Sequence, residues 1–182
     1  MKHFYQNLGE NWFTYPNLYK NMVEKFPSGS HFVEVGTWKG RSAAFMAVEI
    51  INSEKNIKFD CVDDWLEVKK EESHPKRPYQ LWETFLNNIE PVKNIINPIR
   101  MKSIEACKLY KNETLDFIFI DAAHDYNNVI SDIKSWYPKL KKGGIIAGHD
   151  YGNGHVGVEK AVDEFFKGKN LSFSEVCWLH EK

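Results

Sequence analysis

Apolar residues along this chain keep two rhythms that take turns. Short clusters such as Phe32, Val33 and Val35, or Leu115, Phe117, Ile118, Phe119 and Ile120, have the length and the branched or aromatic character of buried strands. Between them, apolar residues recur at intervals of three and four. Leu18, Tyr19, Met22, Val23 and Phe26, for example, fall on one face of a helix. The pattern predicts helices at 16–26, 42–51, 79–89, 127–140 and 156–166, and a short one that Ser103 caps at its N-terminus. Strands are expected at 32–35, 56–62, 95–101, 115–121 and 145–150, with Pro98 placing the third near a sheet edge. Lys141, Lys142, Gly143 and Gly144 read as the stop of the helix before them. The tail at 171–180 has β character, as one strand or a tight pair. Residues 66–78, which are charged and include Pro75 and Pro78, read as a surface loop.

Regular alternation of strand and helix implies an α/β fold: Rossmann-like, doubly wound, with a mostly parallel sheet and helices on both faces. At 182 residues the chain is expected to form a single domain, 1–182, in which 1–30 is an N-terminal helical segment. Its run Trp12, Phe13, Thr14, Tyr15 either staples the first helix to the core or serves as a lid and acceptor wall. Net charge is −1 with both signs interspersed, so the basic footprint of a nucleic-acid binder is missing. No apolar run reaches the roughly 20 residues of a membrane span, and the first ten residues lack the apolar stretch of a secretory signal. Cys61, Cys107 and Cys177 are far apart and odd in number, which suits small buried residues in a reduced, cytoplasmic protein.

The chemistry gathers at the ends of the strands, where ligands bind in such sheets. The first strand runs into a turn, Gly36 to Gly40, whose glycines permit positive φ and close backbone approach. The helix that follows points its first N–H groups into that turn. Four acids follow strand ends or lie near them: Glu34, Asp63, Asp121 and Asp150. A nicotinamide dinucleotide calls for G-x-G-x-x-G, whereas this turn has its glycines four apart. A cationic, phosphate-free ligand such as S-adenosylmethionine suits a glycine turn ringed by acids. Asp63, 23 residues after Gly40, stands where a carboxylate takes both ribose hydroxyls of either cofactor.

Four segments carry a family resemblance. They are Val33-Glu34-Val35-Gly36-Thr37-Trp38-Lys39-Gly40-Arg41-Ser42, Cys61-Val62-Asp63-Asp64-Trp65, the stretch from Asp116 to Tyr126, and the stretch from Gly143 to Asp150. In this order and spacing the chain resembles class I S-adenosylmethionine-dependent methyltransferases, in particular the macrocin-type small-molecule O-methyltransferases. The resemblance implies a seven-stranded sheet whose last strand is antiparallel. It also implies that Glu34, Gly36, Thr37, Gly40 and Ser42 line the methionine end, and that Asp63 holds the ribose. Asp64 and Trp65 would lie beside the adenosine, Ser103 and Ile104 at the adenine edge, and Asp121 at the methionine amino group or a metal.

Methyl transfer to a hydroxyl needs an oriented acceptor and a destination for its proton. Asp121 and Asp150, ending neighbouring strands, can share Mg²⁺ with His149 as a further ligand, acids at these places being metal ligands in macrocin-type relatives. Alternatively His124 is the general base, with Asp121 beside it. Asp125 reads as an N-cap. Trp65 and Tyr151, next to rim acids, are the foremost aromatic candidates for an acceptor pocket. The expected activity is transfer of a methyl group to a small hydroxylated acceptor such as a sugar or natural product. Another enzyme on this fold, hydroxylase-like or nicotinamide-dependent, and a non-catalytic cofactor-binding partner protein stay open at this point.

Overall fold

A computed structural model describes residues 1–66 and 80–182. Seven strands among the described residues form one sheet: β1 (His31–Val35), β2 (Lys58–Asp63), β3 (Ile96–Arg100), β4 (Leu115–Ile120), β5 (Leu140–Gly148), β6 (Ser172–Ser174) and β7 (Cys177–Glu181). Their order across the sheet is β3-β2-β1-β4-β5-β7-β6. The first five are parallel to one another, and β7 runs antiparallel to both β5 and β6. The expected seven-stranded fold is therefore complete, the tail resolves as a tight pair, and β3 with its Pro98 does lie at an edge.

Among the described residues six α-helices connect and cover the strands: α1 (Pro16–Lys25), α2 (Arg41–Asn52), α3 (Leu81–Ile89), α4 (Ser103–Ala106), α5 (Tyr126–Trp136) and α6 (Val156–Phe165). Two apolar clusters, one on each face of the sheet, hold them. Phe32, Phe59, Phe117, Phe119 and Ala147 pack under α1, α2 and α3, whereas Val33, Val35, Ile118, Ile120 and Ile146 pack with α5 and α6. The split follows the two-residue period of a strand. That parity matters at the strand ends. Glu34 shares its face with Phe32, so an acid enters an otherwise aromatic layer, and Asp121 continues the parity of Phe117 and Phe119 toward α1.

Three local expectations are corrected. Lys141 to Gly144 belong to β5 rather than to a helix end, because a 3-10 turn at Tyr137–Lys139 has already closed α5. There Lys141 pairs with Asp116 at 2.8 Å, and the Gly143 N–H donates to the Lys182 carbonyl. Ser103 is the first helical residue of α4, after Lys102 at the N-cap position, and its hydroxyl donates to Asp132 while accepting from the Trp136 indole N–H. Trp65 is not on the rim. Its ring is wholly buried against Trp82 and Phe85, and its indole N–H donates to the Trp38 carbonyl at 2.8 Å.

The three cysteines are free and buried, as expected. Asp125 caps α5 by accepting from the Asn128 N–H. The loop expected at 66–78 lies, apart from Leu66, outside the described residues. No helix among the described residues is long and apolar enough to cross a membrane.

Candidate functional site

The turn after β1 is built by backbone. Gly36 has φ +87° and donates its N–H to the Val62 carbonyl at 2.8 Å. A Cβ there would sit 2.1 Å from the Asp121 carbonyl oxygen, so the ends of β1 and β4 touch where only glycine fits. Asp63 fixes the other side. One of its carboxylate oxygens accepts from the Thr37 and Trp38 N–H groups, each at 3.0 Å, and the second accepts from the Trp65 N–H at 2.8 Å. Burial raises its pKa, while these three N–H donors oppose the shift. The acid expected to hold a ribose also braces the turn. Asp64, the next residue, keeps one oxygen on the Leu66 N–H at 3.0 Å. In the turn, the buried Thr37 hydroxyl has no partner among the described residues.

The N-terminal segment straps this turn from outside. Glu10 accepts from Lys39 at 2.7 Å and from the Trp38 indole N–H at 3.3 Å, and Arg41 donates to the Gly9 and Glu10 carbonyls. Phe13 and Tyr15 are buried in the core, whereas Trp12 is half exposed with its ring centroid 6.0 Å from that of Trp38. Of the two readings of this run, stapling describes Phe13 and Tyr15.

Glu34 is 1% exposed and lies between α1 and α2, where one oxygen accepts from the Ser42 hydroxyl. Its other oxygen and the Tyr19 hydroxyl are buried with no hydrogen-bond partner at normal distance among the described residues. Burial raises the Glu34 pKa from 4.5 to about 8, partly offset by Ser42. The native state therefore keeps a proton that the unfolded chain releases. Below about pH 4.5 both states are protonated and no penalty exists; as pH rises toward about 8 the penalty grows, and stability falls. At roughly 1.4 kcal/mol per unit the window amounts to a few kcal/mol. Glu34→Gln, of the same shape and without the proton, is expected to flatten urea-unfolding stability between about pH 5 and about pH 9. An unchanged slope would place the proton elsewhere.

Across the rim, β4 and β5 pair in register, Ile120 with Gly148, which sets Asp121 level with His149. The Tyr15 hydroxyl donates to Asp121 at 3.0 Å, and His149 Nδ1 lies 3.8 Å from the other Asp121 oxygen. Asp150 turns back with φ +66°, and its carboxylate collects His124 Nε2 at 2.9 Å, His149 Nδ1 at 3.1 Å and His155 Nε2 at 3.7 Å. Burial works against the Asp150 charge, but bonds from His124 and His149 hold its carboxyl far below the usual range. The Asp150 bond raises His124. Burial pushes His149 down, and Asp150 with Asp121 outweighs it, leaving the imidazole above its ordinary value. Asp121 is raised by burial, against the His149 charge.

The fold thus brings Asp121, His124, His149 and Asp150 together, and adds Thr14 and Tyr15 from the aromatic run before α1, and His155, which the sequence did not single out. His155 arrives through Gly157, where a Cβ would come within 2.5 Å of the His124 carbonyl and 2.6 Å of the Tyr126 nitrogen. That close approach sets the start of α6 on the turn after β4 and the two imidazole centroids 4.4 Å apart. A glycine two residues after a histidine, at a helix start, is the signal the sequence offered. Ser103 stays in its network with Asp132 and Trp136, and Ile104 is half-buried on α4.

The Mg²⁺ expected on Asp121, Asp150 and His149 meets the wrong donors. Their ligand atoms do lie within 4.8 Å of one another. Yet Mg²⁺ takes oxygen ligands in near-ideal octahedra. Here both nitrogens of His149 are engaged inside the fold, Nδ1 with Asp150 at 3.1 Å and Nε2 with the Thr14 hydroxyl at 3.1 Å. Only two carboxylates remain, one already accepting from Tyr15 and the other from imidazoles.

A family model described as a methyltransferase domain matches residues 33–151. No curated protein matches the chain by sequence. Among solved structures the chain is similar to the O-methyltransferase NovP, at 16% identity, over 92% of this chain and 78% of that one, with a TM-score of 0.70. It is similar to cofactor-bound Rv0187 from MTB, at 14% identity, over 97% and 85% of the two chains, with a TM-score of 0.66. A SAM-dependent O-methyltransferase from Thermotoga maritima is similar at 15% identity, over 87% of this chain and 52% of that one, with a TM-score of 0.60. At these identities the likeness is one of fold.

Proposed function

The chain belongs to the methyltransferase-domain family, as an S-adenosylmethionine-dependent enzyme, and from that premise we propose that it methylates a hydroxyl of a small acceptor. A sugar or natural-product scaffold is the acceptor class that the macrocin-type resemblance suggests. The observation that carries the proposal is the contact between turn and cluster. The Gly36 backbone presses on the Asp121 carbonyl, so the cofactor's turn and the acid–imidazole cluster share one rim.

The residues present fit the cofactor. The unpartnered Thr37 hydroxyl in the turn and the carboxylate of Asp121 suit a cationic amino-acid head, and Asp63 with Asp64 beside it suits the ribose hydroxyls. Glu34 and Ser42 support the turn from below, and Gly40 opens α2. When bound, S-adenosylmethionine supplies an electrophilic methyl on a sulfonium. The chain's own contribution is orientation and the proton. His124, whose Nε2–H is held by Asp150 at 2.9 Å, takes the acceptor's proton at Nδ1, and Asp150 fixes the ring and stabilises the resulting imidazolium. Asp121 aligns His149 and the cofactor head on the same rim.

Calorimetry is expected to give binding of S-adenosylhomocysteine and none of NADH, and methyl-labelled donor is expected to deliver label to a panel of small hydroxylated acceptors. Binding of NADH alone would sink the reading. Cofactor binding with no label transfer across the panel would instead mark a binding module.

A further inference from the structure

We propose that His124, Asp150 and His155 form a site for a borderline divalent transition ion of the Zn²⁺ class, different in its donors from the hard-cation trio expected from the sequence, with which it shares Asp150. Three segments contribute one ligand each: the turn after β4, the turn after β5 and the residue that precedes α6. The ligand atoms lie within 4.8 Å of one another. His124 Nε2 is 2.9 Å from one Asp150 oxygen, and His155 Nε2 is 3.7 Å from the other. Ligands at 2.0–2.1 Å around a tetrahedral ion are separated by about 3.3–3.4 Å, which these two distances bracket. Two imidazoles and a carboxylate suit zinc, iron, cobalt or nickel better than magnesium.

The surroundings are those of a supported ligand set. Asp150 is 8% exposed and is oriented by His149 Nδ1 at 3.1 Å and by the Asn153 amide at 3.3 Å, which leaves its carboxylate fixed toward the two rings. His124 and His155 are 41% and 38% exposed, so the remaining coordination positions face outward and stay open to a small ligand or water. The contrast with His149 is plain, since both of its nitrogens are engaged within the fold. An ion at this place takes His124 Nε2 from its bond with Asp150 and leaves the ring's proton on Nδ1, the nitrogen that would serve as the base. Ion binding and proton uptake there exclude each other, so the site is a point of metal inhibition on the reading above, on which this consequence rests.

The test is a Co²⁺ titration of the full chain, followed by visible absorption. The expected result is a single tetrahedral-type d–d band saturating at one equivalent and displaced by Zn²⁺. His155→Ala is expected to weaken Co²⁺ binding about tenfold or more, while S-adenosylhomocysteine binding by calorimetry is kept. His155→Asp, which returns a ligand, is expected to regain most of the Co²⁺ affinity. Co²⁺ binding that is lost in Asp121→Ala but unchanged in His155→Ala would move the ion to the other trio and overturn the proposal, as would the absence of a d–d band. Failure of S-adenosylhomocysteine binding in the unmodified chain would count against the methyltransferase reading alone, because the Co²⁺ readout does not use it.

Discussion

Gly36→Ala is expected to lower the melting temperature by roughly 6–12 °C and to remove S-adenosylhomocysteine binding. Two costs combine. An alanine at φ +87° occupies the left-handed region, worth roughly 1–2 kcal/mol for an L-residue. Its Cβ would also lie 2.1 Å from the Asp121 oxygen, 2.5 Å from the Asp121 carbonyl carbon and 2.6 Å from the Ala122 Cα. These are backbone atoms of the central strand's end, so no side-chain rotation relieves the overlap. Relief requires parting β1 from β4, which stretches the bond from the Asp121 N–H to the Val35 carbonyl, 2.8 Å in the native turn. A total near 3 kcal/mol corresponds to the stated shift in a chain of this size. Gly29→Ala is the control. Its φ is +92°, with nothing within 4 Å of the added Cβ, so it carries the conformational cost without the overlap. Equal melting temperatures for the two variants would show that the turn does not depend on the β1–β4 contact.

That contact illustrates which parts of the molecule the residues announce. The strand cores are set by local pattern: Phe32, Val33 and Val35, or Phe117 to Ile120, pack on both faces of the sheet whatever surrounds them. The glycine turn is equally local, because positive φ is a property of the residue. Asp63 has a further role, in the turn, that its neighbours in sequence do not announce. Its chemistry is that of a ribose acid, but its partners are the N–H groups of Thr37 and Trp38, about 25 residues away, and only the paired ends of β1 and β2 put them in reach. Trp65 sits beside a rim acid in sequence and yet is buried, because Trp82 and Phe85 on α3 cover it. His155 stayed hidden because the packing of α6 on the turn after β4, through Gly157, is tertiary. Lys141 to Gly144 carry the marks of a helix end, and they are overridden by the pairing of β5 with β4, which shifts register between Leu115–Leu140 and Phe117–Ile145, and by the bonds of Gly143 and Gly144 to Lys182.

Asp121→Asn is expected to cut kcat/KM by about 10²–10⁴ while leaving unfolding stability equal to or above that of the unmodified chain. The separation of the two effects is the point. Asparagine has the same shape, and its carbonyl oxygen still accepts from the Tyr15 hydroxyl, now 3.0 Å away, so α1 keeps its seat. What disappears is a charge whose burial raises its own pKa, and removing such a charge relieves the native state. The rim, however, loses its electrostatic centre. Asp121 is among the groups that raise both His149 and His124, so the variant lowers the basicity of the imidazoles that handle the acceptor's proton. It also withdraws the carboxylate proposed to meet the cofactor's amino group, so S-adenosylhomocysteine affinity falls as well. Tyr15→Phe separates the parts: it frees one Asp121 oxygen but keeps the charge, and a much smaller loss of rate is expected. Initial-rate kinetics and urea unfolding on the three proteins decide the matter. An Asp121→Asn enzyme within about threefold of full activity would leave the carboxylate a structural partner of Tyr15 and move the chemistry to His124 and Asp150 alone.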